Sequence, residues 1–178
     1  MQLNLLPHPT TPPALATTVW ARAERSAAFG DMATLNLWFG IRAPLARYAV
    51  PVPSDTPSRR EALWQSTCFE CFLKEAGEEA YQEWNFSPSG DWAAYDFSAE
   101  REDMSLAEVA NPPYIRVEDN LTWWGLGATL AIPADATFTL GLSAVLEESG
   151  GRRTYWALHH LGPAPNFHDP DCFTARLA

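Results

Sequence analysis

Residues 64–97 read WQSTCFECFLKEAGEEAYQEWNFSPSGDWAAYDF, and the alternation of side-chain types within them predicts three consecutive antiparallel β-strands. The first strand covers residues 64–74 and the second covers residues 81–86, with Gly77 in the turn between them. Side chains on a strand point alternately to its two faces. The first strand therefore carries Phe69, Cys71 and Leu73 on one face, and Trp64, Cys68, Glu70 and Phe72 on the other.

The second strand repeats this division between apolar and mixed faces. Trp84 and Phe86 share one face, and Tyr81, Glu83 and Asn85 share the other. The sequence Ser87-Pro88-Ser89-Gly90 has the residue preferences of a type I turn, which predicts a hairpin to a third strand. The expected pairs across that hairpin are Asn85 with Trp92, Glu83 with Ala94, and Tyr81 with Asp96.

One face of these three strands would combine carboxylates, an amide and aromatic edges. Hydrogen-bonding groups beside flat apolar surface suit a polar small molecule with apolar faces, such as a sugar. We therefore expect Glu70, Glu83 and Asn85 to hydrogen-bond such a ligand, with Trp64 and Trp92 stacking on it. The alternative is that the two glutamates are solvated residues on the wet side of an antiparallel sheet.

The composition sets limits on the function. The chain has 178 residues, of which 47% are hydrophobic and 19% charged, which predicts one folded domain over residues 1–178. A net charge of −10 argues against partners such as nucleic acid or an anionic membrane surface, because a protein binds these through clustered Lys and Arg. Residues 1–9 lack a signal-peptide pattern, and no apolar run is long enough to cross a bilayer. Three cysteines, an odd number, indicate reduced thiols, so we expect a cytoplasmic protein.

The rest of the chain reads as further short strands separated by turn residues. Residues 1–16 are rich in proline and are expected to form an extended lead-in, and no long helix is predicted. About ten short strands with regular turn signals predict an all-β fold, an antiparallel β-sandwich, with a barrel as the alternative. Trp123 and Trp124 are adjacent, so one should face the core and the other solvent. The additional strands are expected at residues 19–26, 33–41, 114–118, 121–132, 137–146, 154–158 and 173–177.

No nucleophile elbow, phosphate-binding loop, dinucleotide fingerprint or HExxH sequence is present, so no catalytic residue is assigned. Glu70 and Glu83 could still act as the paired carboxylates of a glycoside hydrolase, which lie about 5–10 Å apart. Asp169 and Asp171 could hold calcium, but a polar turn is the favoured interpretation because the spacing of a regular calcium loop is absent. No metal ligand is assigned.

Several stretches of the chain form a set that resembles the bacterial DOMON-like proteins, whose relatives include the family 9 carbohydrate-binding modules. These stretches are Leu6-Pro7-His8-Pro9, Leu63-Trp64-x3-Cys68-Phe69-Glu70-x-Phe72-Leu73, Tyr81-x-Glu83-x-Asn85-Phe86-Ser87-Pro88-x-Gly90-x-Trp92-x2-Tyr95, Arg101, Tyr155-Trp156-Ala157-Leu158-x-His160, and Asn166-Phe167-His168-x2-Asp171-x-Phe173. The resemblance implies a jelly-roll β-sandwich that binds a ligand, as related modules bind sugars, and that has no settled catalytic activity. The site residues that it implies are Glu70, Glu83, Asn85, Trp92, Arg101 and His160, whereas the role of Trp64 is inferred here from the strand pattern alone.

The same resemblance raises a haem-binding alternative, because some DOMON domains hold haem through a Met and a His. Met104 and His160 are the candidate axial ligands in this sequence, and Met32 is less suited. The principal expectation remains a non-enzymatic protein that binds a sugar or a similar polar small molecule without a cofactor.

Overall fold

The computed structural model describes residues 2–177, which contain twelve β-strands and three short 3-10 turns. The strands are β1 (Gln2–Pro7), β2 (Thr18–Arg25), β3 (Met32–Arg42), β4 (Cys68–Glu75), β5 (Tyr81–Phe86), β6 (Trp92–Phe97), β7 (Ser105–Leu106), β8 (Tyr114–Asp119), β9 (Trp124–Pro133), β10 (Phe138–Glu147), β11 (Arg153–Ala157) and β12 (Ala175–Leu177). The 3-10 turns are Leu45–Arg47, Leu63–Gln65 and Pro170–Cys172. Within this described range, no helix has the length and apolar character needed to cross a membrane.

All strand pairs are antiparallel, and the sheet curls into two layers that we call sheet A and sheet B. Sheet A has the order β1-β2-β3-β9-β8, and sheet B has the order β7-β6-β5-β4-β10. The far edge of β10 pairs with β12 along its first half and with β11 along its second half. Strand β1 joins the layers, because residues 2–5 pair with β2 and residues 6–7 pair with β11. The predicted antiparallel β-sandwich is confirmed.

The main core lies between the two layers. In β3, Leu35, Leu37 and Phe39 are buried and alternate with half-buried residues, as expected for a strand with one face inward. The ring of Phe39 lies 5.1 Å from that of Phe69 in sheet B, and Phe69 lies 5.8 Å from Trp124 in sheet A. Trp124 is the inward member of the tryptophan pair, and Trp123 is partly exposed.

Two local predictions about the strands are wrong. Residues 2–7 form β1 rather than an extended lead-in. Pro9, Pro12 and Pro13 lie beyond this strand, and Pro7 is its last residue, where the missing N–H disturbs the strand's hydrogen bonds little. The first strand of the central region begins at Cys68 and not at Trp64. Ala62 has a left-handed φ of 61°, and the 3-10 turn that follows carries Trp64.

The register of the β5–β6 hairpin differs by one residue from the predicted one. Ser87 and Asp91 close the loop with an N–H···O bond of 2.9 Å, and Gly90 adopts a φ of +89°. The connection is thus a three-residue loop, a type I turn followed by a left-handed glycine. Trp92 consequently pairs with Phe86 and not with Asn85, since one extra residue moves a side chain to the opposite face.

Trp92 therefore belongs to the core, which corrects its predicted place beside the carboxylates. Its side chain is only 7% exposed and stacks on Trp84 at 6.0 Å. The guanidinium of Arg59 covers its ring at 4.6 Å. The division of β4 and β5 into two faces, in contrast, agrees with the prediction: Trp84 and Phe86 point to the core, and Glu70 and Glu83 point away from it.

Candidate functional site

A cavity of about 360 Å³ lies on the outer face of sheet B, the face turned away from the main core. Its floor is formed by residues that project from β4, β5, β10 and β11, and its walls come from segments distant in sequence. A second apolar cluster, built on Phe72, Tyr81 and Phe97 with Phe173, packs on the same face. The residues that line the cavity are Trp64, Glu70, Glu83, Phe97, Arg101, Met104, Val145, Arg153, Tyr155, Pro165, Phe167 and His168.

Glu70 lies on the floor of this cavity and is only 3% exposed. Its Oε2 accepts a hydrogen bond of 2.9 Å from the Ser143 hydroxyl, which stands directly opposite on β10. Burial and, to a smaller extent, the charge of Glu83 raise the pKa of Glu70 to about 8, against the opposing effects of Ser143 and Arg101. The carboxyl is therefore held in a site where its charged form is poorly stabilised.

Glu83 is the second carboxylate of the cavity and is 5% exposed. Its Oε1 accepts a 2.6 Å hydrogen bond from the amide of Asn85, which is completely buried on the same strand. Burial raises the pKa of Glu83, while the Asn85 hydrogen bond and the Arg101 charge oppose that effect. Because Glu70 pairs with Asn85 across β4 and β5, the two glutamates are diagonal neighbours, and the α-carbons of such pairs lie about 7–8 Å apart.

His168 closes the cavity from the C-terminal segment and was not among the predicted site residues. Its Nε2 lies 3.5 Å from Oε2 of Glu83, and its Nδ1 lies 2.8 Å from the hydroxyl of Tyr81. Burial, followed by the charge of Arg101, lowers the pKa of His168 to about 4, so the imidazole is neutral at pH 7 and its contact with Glu83 is not an ion pair. The hydroxyl of Tyr81 accepts from the backbone N–H of Arg101 and can donate to Nδ1, which leaves the proton of the neutral ring on Nε2, facing Glu83.

Arg101 stands at the rim of the cavity in a left-handed backbone conformation, with a φ of 57°. Its guanidinium donates two hydrogen bonds, of 3.2 and 3.1 Å, to Oδ1 of Asn166. The side chain is thus tied to the C-terminal segment rather than paired with a carboxylate of the floor. Its charge nevertheless influences Glu70, Glu83 and His168.

Aromatic side chains provide the apolar wall. Trp64 projects from its 3-10 turn with 37% of its surface exposed, and its ring meets Tyr95 edge-on at 5.8 Å. Tyr155 of β11 and Phe167 of the C-terminal segment lie 6.1 Å apart on another wall. The cavity therefore combines flat apolar surfaces with two carboxylates, as the strand pattern predicted, although Trp64 arrives from a turn and not from β4.

Four of the seven predicted site residues line the cavity: Trp64, Glu70, Glu83 and Arg101. Asn85 lies beneath it and holds Glu83. Trp92 does not reach it, for the reason given above. His160 also lies outside the lining residues, since its Nε2 bonds the carbonyl of Leu6 at 2.9 Å and its ring packs edge-on against His8 at 4.8 Å. His168 lines the cavity but was not predicted to do so. The sequence signal that could have identified it is the motif Asn166-Phe167-His168, which is part of the family resemblance.

The axial ligands predicted for the haem alternative do not come together in the structure. Met104 lines the cavity, but His160 is outside it and its Nε2 is already bonded to backbone. Met32 begins β3 in sheet A, on the other layer. The expected Met and His pair therefore does not converge on one ligand position.

The aspartates considered for calcium form part of a turn. Oδ1 of Asp169 accepts the backbone N–H of Asp171 at 3.0 Å and caps the 3-10 turn Pro170–Cys172, which is the polar-turn alternative. Among residues 2–177, no group of three or more His, Cys, Asp or Glu side chains could hold a metal ion. Burial raises the pKa of the Cys68 and Cys71 thiols, so these cysteines are poor thiolate ligands or nucleophiles.

Comparison with known proteins relates this architecture to carbohydrate-binding proteins. No protein-family model and no curated protein matches the sequence. A protein from Bacteroides uniformis, provisionally described as carbohydrate-binding, superposes with a TM-score of 0.63 at 15% identity, over 99% of this chain and 85% of that chain. A family 9 carbohydrate-binding module from Caldicellulosiruptor kristjanssonii, solved with cellotriose, superposes with a TM-score of 0.51 at 12% identity, over 82% of this chain and 66% of that chain. At these identities the likeness concerns the fold, and the chain shares its antiparallel β-sandwich with structures of this kind.

Proposed function

We propose that the protein binds a carbohydrate in the cavity on sheet B, as a ligand-binding DOMON-like module formed by residues 1–178 rather than as an enzyme. The observation that carries this proposal is the meeting of two buried, hydrogen-bonded carboxylates with aromatic walls in one cavity of about 360 Å³. A sugar offers hydroxyl donors on its edges and apolar C–H groups on its faces, which match these two kinds of surface.

The roles of the residues follow from their positions. Glu70 and Glu83 accept hydrogen bonds from ligand hydroxyls, and Asn85 keeps the Glu83 carboxylate in place. Trp64 offers an exposed indole to stack on a sugar face. Arg101 and His168 close the rim. The cellotriose bound to the structurally similar module supports a sugar as the class of ligand.

Titration calorimetry with a panel of neutral hexoses and short β-glucans tests the proposal. Trp64→Ala should weaken binding about tenfold, since removal of ~60 Å² of apolar contact corresponds to ~1.4 kcal/mol. Trp38→Ala is the matched control, because Trp38 is a partly exposed tryptophan on sheet A, beneath the guanidinium of Arg22. Absence of saturable binding by the unaltered protein across the panel, or equal losses in both variants, would contradict the proposal.

One observation favours glycoside hydrolysis as a second candidate. A hydrolase needs a carboxyl that stays protonated at its working pH beside a second carboxylate, and the pKa of Glu70 is raised to about 8 with Glu83 nearby. Turnover of aryl glycosides by the unaltered protein, abolished in Glu70→Gln, would establish this activity. Sugar binding without turnover would contradict hydrolysis and support the binding function.

A further inference from the structure

Among residues 2–177, no lysine or arginine forms an ion pair with either of the two buried glutamates of the cavity. The groups that donate to these carboxylates, the Ser143 hydroxyl and the Asn85 amide, are both uncharged. Burial lowers the pKa of His168 to about 4, so its imidazole does not supply a positive charge at pH 7. A buried carboxylate that lacks an opposite charge is unfavourable, and burial together with the charge of Glu83 raises the pKa of Glu70 to about 8. The floor of the cavity can therefore carry two negative charges at pH 7 only when a cation enters and stabilises them.

The arginines of the lining stabilise these carboxylates only from a distance, as the effect of Arg101 on the pKa of Glu70 and Glu83 indicates. Within the part of the chain that the structure describes, no Lys or Arg nitrogen lies within 4.0 Å of either cavity carboxylate. Arg101 is held at the rim by Asn166, and Arg153 is an exposed residue at the start of β11. Both guanidinium groups remain at the mouth of the cavity rather than at its floor.

Two carboxylate oxygens are open to a ligand. Among residues 2–177, Oε1 of Glu70 accepts no hydrogen bond, and its Oε2 is used by Ser143. Oε2 of Glu83 has His168 Nε2 at 3.5 Å, which is longer than an ordinary N–H···O bond. Each glutamate thus keeps one acceptor free, and both are attached to side chains that line the same cavity.

We propose that the natural ligand carries a protonated amine, as an amino sugar does, and that this ammonium group binds between Oε1 of Glu70 and Oε2 of Glu83. This inference rests on the proposed function and adds the class of sugar. An ammonium group has three donors and one positive charge, so it can satisfy both open acceptors and compensate one of the two carboxylate charges. A sugar hydroxyl in the same position has one donor and no charge.

The aromatic wall suits the same group. Trp64, Tyr155 and Phe167 line the cavity with the carboxylates, and the faces of aromatic rings attract cations, most strongly for tryptophan. An ammonium group in this position would stabilise the charged carboxylates and so oppose burial, which raises the pKa of both Glu70 and Glu83.

Calorimetric titration with matched sugars tests this inference. The probes are glucose, galactose and mannose, each with its 2-amino and 2-acetamido counterparts, at about pH 6.5, where the amine is largely protonated. In at least one series the amino sugar should bind about tenfold or more tighter than the parent hexose, the scale of one charged hydrogen bond. The acetamido sugar, which keeps the nitrogen but loses the charge, should lack that advantage.

Charge variants locate the effect. Glu70→Gln should weaken the binding of all the sugars but the amino sugar most, so that the preference for the amino sugar falls to about one, and Glu83→Gln provides a second variant of the same kind. Glu118→Gln removes one negative charge from the exposed strand β8, far in the fold from the cavity, and should leave the preference unchanged. This control separates recognition in the cavity from general attraction of cations to a chain with a net charge of −10.

The outcomes distinguish this inference from the proposed function. Binding of neutral hexoses equal to or tighter than that of their amino counterparts would overturn the amine inference and leave carbohydrate binding intact. An amino-sugar preference that survives in both cavity variants would overturn it as well. Absence of binding by all the sugars would overturn both proposals.

Discussion

Two adjacent residues on β5 offer a direct test of which face of the strand binds the ligand and which face stabilises the fold. Glu83 points into the cavity, and Trp84 points into the main core, where it is 6% exposed. Glu83→Gln keeps the shape of the side chain and removes its charge. Trp84→Ala removes an indole that stacks on Trp92 at 6.0 Å and on Phe86 at 6.4 Å.

The stability cost of Trp84→Ala follows from the contacts that it removes. A buried tryptophan withdraws about 150–250 Å² from water, which at ~25 cal/mol per Å² gives an upper limit of about 4–6 kcal/mol. Measured large-to-small substitutions in cores cost about 3–5 kcal/mol. For a chain of this size we expect the melting temperature to fall by roughly 6–20 °C. The hydrogen bond from Nε1 to Gln82 is also lost.

Glu83→Gln should leave the fold intact and weaken ligand binding. The amide oxygen can still accept from Asn85, and repulsion from the charge of Glu70 disappears, so the free energy of unfolding should be unchanged or higher. Loss of one hydrogen bond between the ligand and a charged group costs about 1.5–3 kcal/mol, which is a 10- to 150-fold loss of affinity.

Thermal melting followed by circular dichroism and sugar titration on the same samples measure both effects. The reasoning is refuted if Glu83→Gln unfolds the protein while Trp84→Ala is tolerated, because the two faces of β5 would then be reversed. Unaltered affinity in a folded Glu83→Gln protein would show that this carboxylate does not contact the ligand.

Three further changes test other parts of the site. The pKa of Glu70 is raised from 4.5 to about 8, so this carboxyl lowers the free energy of unfolding as the pH rises through that interval. Urea unfolding should therefore show Glu70→Gln gaining stability over the unaltered protein between pH 6.5 and 8, which is above the range in which His168 titrates. Gly141→Ala would place its Cβ 2.5 Å from the Phe173 ring, so we expect the C-terminal segment to shift, with stability lower by ~1–3 kcal/mol and weaker sugar binding. Unchanged stability and unchanged sugar affinity would show that the segment adapts. Gly90→Ala should lower the free energy of unfolding by about 1–2 kcal/mol, because the residue has a φ of +89°. An unchanged melting temperature would argue against the three-residue loop.

Local sequence patterns were sufficient for the faces of the central strands. The alternation of side chains along β4 and β5 depends only on extended backbone, so Glu70 and Glu83 were separated from Phe69 and Trp84 without knowledge of any partner. The turn signals between short strands likewise led to the antiparallel sandwich. Such features repeat every two residues or occupy a few adjacent positions, and a sequence displays them directly.

The place of Trp92 could not be obtained in this way. A loop of two or three residues satisfies the same turn preferences, and the choice between them reverses every side chain that follows. The packed structure selects the three-residue loop, which places the indole on Trp84 inside the core. In the two-residue alternative this large apolar side chain would instead share the outer face of sheet B with Glu83 and Asn85.

The sequence by itself determined the sandwich and the two carboxylates on one sheet face, whereas only the tertiary structure decided what surrounds them. Arg101, Tyr155 and His168 reach the cavity from segments far apart along the chain, and nothing in local periodicity records such a meeting. The same is true of the protonation of Glu70, because its pKa depends on burial and on Glu83. Desolvation and charge coupling are properties of the assembled three-dimensional surroundings, so they exist only after folding has brought these groups together.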